Sequence, residues 1–461
     1  MNASMPPPLP VIAARRFVSA FKPLFIGVLA LLLLIPLMMV RSLLSERQHR
    51  RAEAISNITE TWGQSQTLIG PVLVVPYQIP VKTRREQRVD NQIESVDVTS
   101  WSTAYGCFLP TNLQVVGSLD PSVLHRGIYE AAVYRGDFSL KGAFAPPDFS
   151  EWKIEPENIL WDEAVVLISV SDPRGLSDSL VLQFGDAPLT LEPGSNLASF
   201  DRPLRTRIPD GVLKPDEAMP FTLDLKLNGS RSLLIAPVGM QTHVALDSTW
   251  ADPSFQGAFL PVEREVAPAG FKANWQVSYY GRPVPQSWTS ADGSSAVAGL
   301  KNCAFGVSLV TPVDNYRLVE RSLKYGILFI VLIFTAFFLF ETLARLRIHP
   351  LQYLLVGAAL CIFYLILLAL SEIQAFWSAY LVAAVASTAL VTGYSAAILG
   401  RRRRAGVIGL ELVLIYGFLY TTLQLQDYAL VLGSVGLFAA LAVVMYSTRR
   451  VNWYSGQKTE G

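Results

Sequence analysis

The sequence predicts an α+β membrane protein in which six transmembrane helices, one N-terminal and five C-terminal, carry a large antiparallel β-rich domain with a sandwich-like core. Three observations lead there. Apolar runs approaching the ~20 residues that a bilayer core requires occur once near the N-terminus and five times at the C-terminal end. The long polar interval between them is punctuated by proline and glycine and alternates apolar with polar residues in the period of strands. Finally, hydrophobic residues form 51% of the chain and charged residues 16%, a balance expected when a membrane part dilutes an ordinary soluble domain.

In chain order the sequence divides into a tail over 1–22, a first span over 23–40, a stalk helix over 41–63, the β-rich domain over 64–318, a five-helix bundle over 323–446 and a tail over 447–461. The spans run from Pro23 to Val40, Leu323 to Phe340, Leu351 to Leu370, Phe376 to Leu399, Ala405 to Leu423 and Tyr428 to Tyr446. The first apolar stretch is longer than the roughly 7–15 residues of a signal-peptide core and passes through Met38, Met39 and Val40 into Arg41 without an A-x-A-like cleavage site, so it reads as an uncleaved anchor. Pro36 inside it predicts a kink that neighbouring helices can absorb.

Six spans put both termini on one side, and the short-loop cations say which. Arg15, Arg16, Lys22, Arg345, Arg347, the run Arg401, Arg402, Arg403, Arg404, and Arg449 and Arg450 share one set of connections. The opposite short loops, Ser371 to Ala375 and Leu425 to Asp427, contain none. The termini are therefore expected in the cytoplasm and residues 41–322 outside, which in a Gram-negative bacterium means the periplasm. Arg41, Arg47, Arg50 and Arg51 are the discordant outer cluster.

Within the outer domain, Phe221, Leu223, Leu225 and Leu227 alternate with Thr222, Asp224 and Lys226, the pattern of a half-buried strand. The continuous apolar runs Gly70 to Tyr77, Ala164 to Val170 and Ser232 to Val238 read as strands near a core centre. Asp172 to Gly175, D-P-R-G, is most simply a turn in which proline fixes φ and glycine allows a positive one. Cys107 and Cys303 both lie where an oxidising compartment permits a disulfide; the alternative is two unrelated buried thiols, while Cys361 falls in the third span. The glycosylation-like triplets at Asn57 and Asn228 match a pattern common by chance.

Chemistry is sparse in the sequence. The four histidines, His49, His125, His243 and His349, have no metal-ligand spacing, and G-x-S-x-G, H-E-x-x-H and a phosphate-binding glycine loop are lacking. No enzyme activity, cofactor or metal is expected. The near balance of 38 basic and 37 acidic residues argues against a nucleic-acid partner. Ionisable groups at the membrane are the better functional candidates. Glu411 lies about two turns into the fifth span, within reach of Arg404, and pairing with it is the simplest reading. Glu341 and Glu372 close the second and third spans, and His349 with Pro350 opens the third. The run Arg401 to Arg404 reads as a topology signal and a contact for anionic lipid.

One long stretch, ETLARLRIHPLQYLLVGAALCIFYLILLALSE from Glu341 to Glu372, resembles the signature of the CreD family of cell envelope integrity proteins. The order of LLLLIPLMMVRSLLSER, LIGPVLVVPY, ISVSDPRG, LTLEPG, PSFQGAFLPVEREVAPAGFKANW and TPVDNYRLVERSLKYGIL extends that resemblance along nearly the whole chain. Cys107, Cys303 and the start Pro6 to Pro10 depart from the family pattern. The resemblance implies a Gram-negative inner-membrane protein under a sensor-kinase and response-regulator pair, whose level affects envelope integrity, stress response and colicin tolerance. It carries over no catalytic residue. The expected activity is therefore non-catalytic binding of an envelope protein or component through the outer domain, with membrane lipids around the bundle. A transporter or lipid-handling protein working through the C-terminal bundle is the alternative.

Overall fold

The computed structural model describes residues 24–89, 92–310, 315–343, 348–400, 402–425 and 428–449. The N-terminal tail with Arg15, Arg16 and Lys22, the loop residues Arg345 and Arg347, Arg401, Asp427, and the C-terminal tail from Arg450 lie outside the described residues. The chain forms two compact units, Met1–Ala52 with Val313–Gly461, and Glu53–Pro312.

Helix α1 (Leu24–Trp62) begins as a strongly apolar segment and becomes polar from Arg41 onward. Its regular hydrogen bonding is interrupted by a turn at Leu33. Pro36 has no N–H to offer the preceding turn, so the ladder loses a bond there while Leu37 still donates to the Leu33 carbonyl at 3.4 Å.

The Glu53–Pro312 unit is a sandwich of two sheets with strands β1 (Gln66–Val89), β2 (Gln92–Phe108), β3 (Asn112–Arg126), β4 (Tyr129–Phe144), β5 (Val165–Val170), β6 (Val181–Phe184), β7 (Ala187–Thr190), β8 (Glu192–Pro193), β9 (Leu204–Arg207), β10 (Met219–Ser230), β11 (Ser232–Ile235), β12 (Gln241–Ser248), β13 (Pro253–Gly257), β14 (Glu263–Ala267), β15 (Gly270–Ser278), β16 (Ser287–Thr289) and β17 (Phe305–Leu309), with helix α2 (Gly293–Asn302) before the last strand. The first sheet follows β13-β17-β11-β1-β5-β9-β8, with β2 and β16 added beside β1; the second follows β14-β15-β12-β3-β4-β10-β6-β7.

The sequence pattern explains where each strand sits. In β1 the consecutive residues Val72, Leu73, Val74 and Val75 are all buried, because β1 is central, with β5 on one edge and β2 or β11 on the other. The register against β5 shifts between Ile69 and Val72, where Pro71 cannot donate to the ladder. In β10, by contrast, burial alternates along Phe221, Leu223, Leu225 and Leu227, since only one face meets the core. Leu113, Val115, Leu140, Leu223, Val244 and Trp275 from one sheet join Val72, Val74, Val166, Ile168, Phe305 and Val307 from the other in a single apolar cluster.

Most of the pairings are antiparallel, as the sequence pattern predicts, and two depart from it. β1 pairs with β11, and β3 with β12, in parallel. Parallel neighbours require long crossovers, and each of these pairs is separated by many intervening strands. Alternation along a strand reports which face is buried and carries no information about a distant partner's direction.

The D-P-R-G segment is a single 3-10 turn, Pro173–Gly175, with Asp172 at its N-cap. The buried Asp172 carboxylate accepts from the backbone N–H of Gln64 at 3.1 Å and from Arg174, Nε to Oδ1 at 2.8 Å and Nη2 to Oδ2 at 3.0 Å. Gln66 completes the knot: its Nε2 donates to the carbonyls of Asp172 and Asn228, and its Oε1 accepts from the Asp172 N–H. Gly175 serves here by size rather than by positive φ. A Cβ would stand 2.2 Å from the Asn228 carbonyl oxygen.

In the other unit, helix α3 (Asn315–Lys324) leads through Tyr325 into α4 (Gly326–Leu343). The pair is bent by 45°, and counting it as one span gives six candidate spans among the described residues. Helices α5 (Pro350–Ser371), α6 (Phe376–Leu399), α7 (Arg402–Gln424) and α8 (Ala429–Thr448) follow. Gly400, at φ +63°, closes α6 in the left-handed conformation that favours glycine. Helix α8 buries none of its side chains in the chain itself.

Burial alone would raise the Asp172 carboxyl, but the hydrogen bonds from Arg174 and Gln64 outweigh it and hold the group below its ordinary value. A lowered folded value means a contribution that is present above the unfolded value of about 3.9 and is lost as pH falls through the folded one. Asp172→Asn should therefore lower unfolding stability by about 1–3 kcal/mol near neutrality, with the gap to wild type closing below about pH 4. Denaturant unfolding followed across pH checks this. Gly175→Ala should cost about 1–3 kcal/mol at every pH, because it forces backbone apart.

Candidate functional site

Glu341, Glu372 and His349, three of the candidate ionisable groups at the membrane, become structural ties in this fold. Helix α5 starts with a capping box: His349 accepts from the Leu351 N–H through Nδ1 at 3.2 Å, and Gln352 Oε1 accepts from the His349 N–H at 2.9 Å. Pro350 occupies the first helical position, where its missing donor costs nothing. Glu341, near the end of α4, accepts from the Tyr353 hydroxyl at 3.1 Å and from the Ile348 N–H at 3.4 Å. Tyr353 is fully buried against Phe334 and Phe337. The carboxylate thus joins the end of one span to the start of the next.

A second carboxylate works at the far end of α5. Glu372 accepts from the Tyr316 hydroxyl at 3.1 Å and lies 3.6 Å from Arg47 Nε, while Asn315 Nδ2 donates to the Ser371 carbonyl at 2.8 Å. The Arg51 guanidinium stands 5.8 Å from the centre of the Tyr316 ring. Helices α1, α3 and α5 are pinned by this cluster. Arg50 pairs with Glu46 one turn away at 2.6 Å. Three of the four discordant arginines are therefore matched by neighbours.

Helix α5 has 22 residues, about 33 Å at 1.5 Å per residue, which is the thickness of a hydrocarbon core. Glu341 and His349 therefore stand at one membrane face and Glu372 at the other. Glu411 is separate from both groups. It is half-buried on α7, and among the described residues no ion pair joins it to Arg404. The candidates do not converge on one relay.

Sequence reasoning missed a hydroxyl cluster inside the bundle. Tyr380 donates to the Tyr416 carbonyl at 2.7 Å, and the Tyr416 hydroxyl meets Ser387 Oγ at 2.9 Å, with Phe363 packed 4.5 Å from the Tyr416 ring. The available signal was Tyr380 and Ser387, seven residues apart and so on one helix face. Within hydrocarbon such hydroxyls bind helices together.

In the β-rich unit, Cys107 and Cys303 are both free, as in the alternative of two unrelated buried thiols and not in that of a disulfide. Cys107 lies inside β2, where burial pushes its thiol up to about 12. Cys303 ends α2 and donates to the Leu300 carbonyl. Burial raises its thiol too, an effect partly offset by the charge of Arg282. Each fills its own part of the interior as a small apolar group. Arg282 was not singled out from sequence, yet it is buried; it donates to Gln286, and burial pushes its guanidinium down to about 10.

The feature of this unit best suited to binding is the outward face and free edge of the second sheet. Gln114, Val116, His243, Ala245, Val262, Glu263, Asn274 and Gln276 line a groove of about 290 Å³ across β3, β12, β15 and β14. Asn274 Nδ2 donates to Glu263 at 3.3 Å across its rim. The terminal strand β14 pairs only with β15 and is exposed on both faces. Val266 on it is 53% exposed, and Leu260 and Val262, in the segment that leads into it, are 66% and 69% exposed. Large apolar side chains on an unpaired strand edge are what soluble proteins ordinarily avoid. His243, scattered in sequence, enters a groove only because β12 lies between β3 and β15.

Comparison with known proteins gives a consistent result. The profile of the family described as Inner membrane protein CreD matches residues 19–454. The Inner membrane protein CreD of Escherichia coli (strain K12) is 34% identical over 426 residues, covering 92% of this chain and 91% of that protein. Among solved structures, an M1 zinc metallopeptidase mutant from Deinococcus radiodurans aligns at 9% identity over 47% of this chain and 52% of that one, with a TM-score of 0.22. A putative protease from Parabacteroides distasonis ATCC 8503 aligns at 7% identity over 46% and 42%, also at 0.22. Likeness at that level bears on neither fold nor activity.

The ties make a sharp contrast in stability. Glu372→Ala removes the ionic partner of Arg47 and an acceptor of the Tyr316 hydroxyl and should lower the thermal midpoint of the detergent-solubilised protein, and Tyr353→Phe should cost about 0.5–1.5 kcal/mol by removing one hydrogen bond to Glu341. Glu411→Gln, which removes an ionisable group from the span without breaking a tie, should leave the midpoint unchanged or higher. A thermal unfolding series of the three variants checks the order.

Proposed function

The chain belongs to the CreD family of inner membrane proteins, and on that premise we propose that it is a non-catalytic envelope protein whose β-rich unit docks another envelope protein in the periplasm. It is a multi-pass inner-membrane protein. The orientation follows from the cation bias of the short loops, with Arg402, Arg403, Arg404 and Arg449 on the cytoplasmic side together with His349 and Glu341. Glu372 and residues 41–322 then lie on the periplasmic side. In this reading the protein supports envelope integrity and colicin tolerance through what its periplasmic unit holds.

The observation that carries the proposal is the edge strand β14 with the segment leading into it, where Val262 lines the His243 groove and Leu260 and Val266 are also exposed. An extended segment of a partner can add to that edge by main-chain hydrogen bonds, while the groove and the apolar side chains select its sequence. Short connections such as Ser371 to Ala375 leave little chain elsewhere for a working surface. A transport pathway would call for several ionisable groups facing one another, and the observed ones stand at opposite ends of α5 or apart on α7.

A photo-crosslinking residue placed at Val262 or Val266 of the full-length protein in cells should trap a discrete adduct under envelope stress, and one placed at Asp210 should not. The double variant Val262→Asp, Val266→Asp should accumulate normally in the membrane yet fail to restore colicin tolerance to a deletion strain. Full complementation by that variant, with no adduct at either position, would sink the docking proposal. Loss of function in Glu411→Gln at normal abundance would favour transport instead.

A further inference from the structure

We infer that a cleft between α1 and the α3–α4 bend binds the headgroup of an anionic phospholipid. Leu34, Leu37, Met38, Leu323 and Ile327 form its apolar wall, and Arg41, Glu320 and Lys324 form its rim, around a volume of about 260 Å³.

The chemistry follows from where the charges stand. Arg41 is the first cation after the apolar part of α1, and Lys324 is the last before the apolar helix α4. Both therefore sit at the border of the hydrocarbon, where phosphate groups lie. Gly326 brings the two helices close: a Cβ there would stand 3.3 Å from the methyl carbons of Leu37. Lys324 is held by Glu320 at 3.3 Å, and that pair leaves the rim with one net positive charge from Arg41.

Arg41 differs from its neighbours on α1. Arg47 has Glu372, Arg50 has Glu46 and Arg51 has the Tyr316 ring, whereas among the described residues Arg41 has no acidic partner. A guanidinium at the edge of hydrocarbon gains most from a planar, charge-assisted contact, and phosphate provides one. The adjoining wall is aliphatic and matches the upper carbons of an acyl chain. A zwitterionic lipid brings its own cation to the rim and a peptide brings polar backbone to the wall, so neither fits as well as phosphatidylglycerol. Only the assignment to the periplasmic leaflet rests on the orientation proposed above; the cleft itself does not.

The test uses the full-length protein in detergent titrated with phosphatidylglycerol or phosphatidylcholine of identical chains, with bound lipid counted by native mass spectrometry. The wild type should retain one phosphatidylglycerol at least fivefold more strongly than phosphatidylcholine. Arg41→Gln should reduce that preference about fivefold, the effect of one cation at a lipid surface. Arg41→Lys should keep most of it, which separates charge from misfolding, and Arg402→Gln with Arg403→Gln should leave this high-affinity lipid in place. Met38→Trp, which fills the wall, should weaken both lipids. Equal retention of the two lipids by the wild type would reduce the cleft to an acyl-chain groove and overturn the inference. Undiminished preference in a double Arg41→Gln, Lys324→Gln variant with a normal thermal midpoint would overturn it as well.

Discussion

Hydrocarbon offers no partner to a polar group, and the helical unit is organised by how it meets that constraint. The carboxylate of Glu341 reaches the buried hydroxyl of Tyr353, and that of Glu372 reaches Tyr316 and Arg47. Because these groups lie at the two ends of α5, each end of the central helix is fastened to a different neighbour. Tyr380, Ser387 and Tyr416 extend the same solution into the apolar interior. The outcome is a bundle whose ionisable groups mostly define its construction, which weakens any account in which they form a conduction path.

The β-rich unit meets a different demand, the burial of one strand on both faces. β1 is apolar without alternation through Val72 to Val75, so it needs a strand on each edge and cover on each face. The second sheet supplies that cover on one side, and the knot of Gln64, Gln66, Asp172 and Asn228 fixes where β1 begins relative to β5 and β10. The buried charge of that knot sits at the turn that follows β5. At the other end of the second sheet β14 pairs on one edge only, and the exposure of Val266 there, with Val262 just before it, is a property of the assembled sheet.

Much of this was legible in the sequence, and the physical reason is local in each case. Apolar length identifies a span, because bilayer thickness is a fixed requirement; alternation in Phe221 to Leu227 identifies a strand with one buried face; Asp172 to Gly175 identifies a turn. The loop cations suggest an orientation by the same kind of local count. Less was legible of the candidate sites. Glu341 and Glu372 stand out as charges next to apolar runs, but the sequence cannot distinguish a tied carboxylate from a functional one, since Tyr353 and Arg47 are 12 and 325 positions away respectively. Arg404 and Glu411 share a helix, and proximity in sequence still did not make them a pair.

The sequence by itself determined the division into apolar helices and a β-rich interval, the family to which the chain belongs, and the faces that individual strands bury. These depend on residue type at short spacing, which folding does not alter. Tertiary structure alone decided the parallel pairings of β1 with β11 and β3 with β12, the free state of Cys107 and Cys303, and the partners of the membrane-border charges. It also decided that β14 ends its sheet with one edge free. Most of those are relations between distant segments, settled by which faces can be buried together, and a local count of residue types does not reach across them.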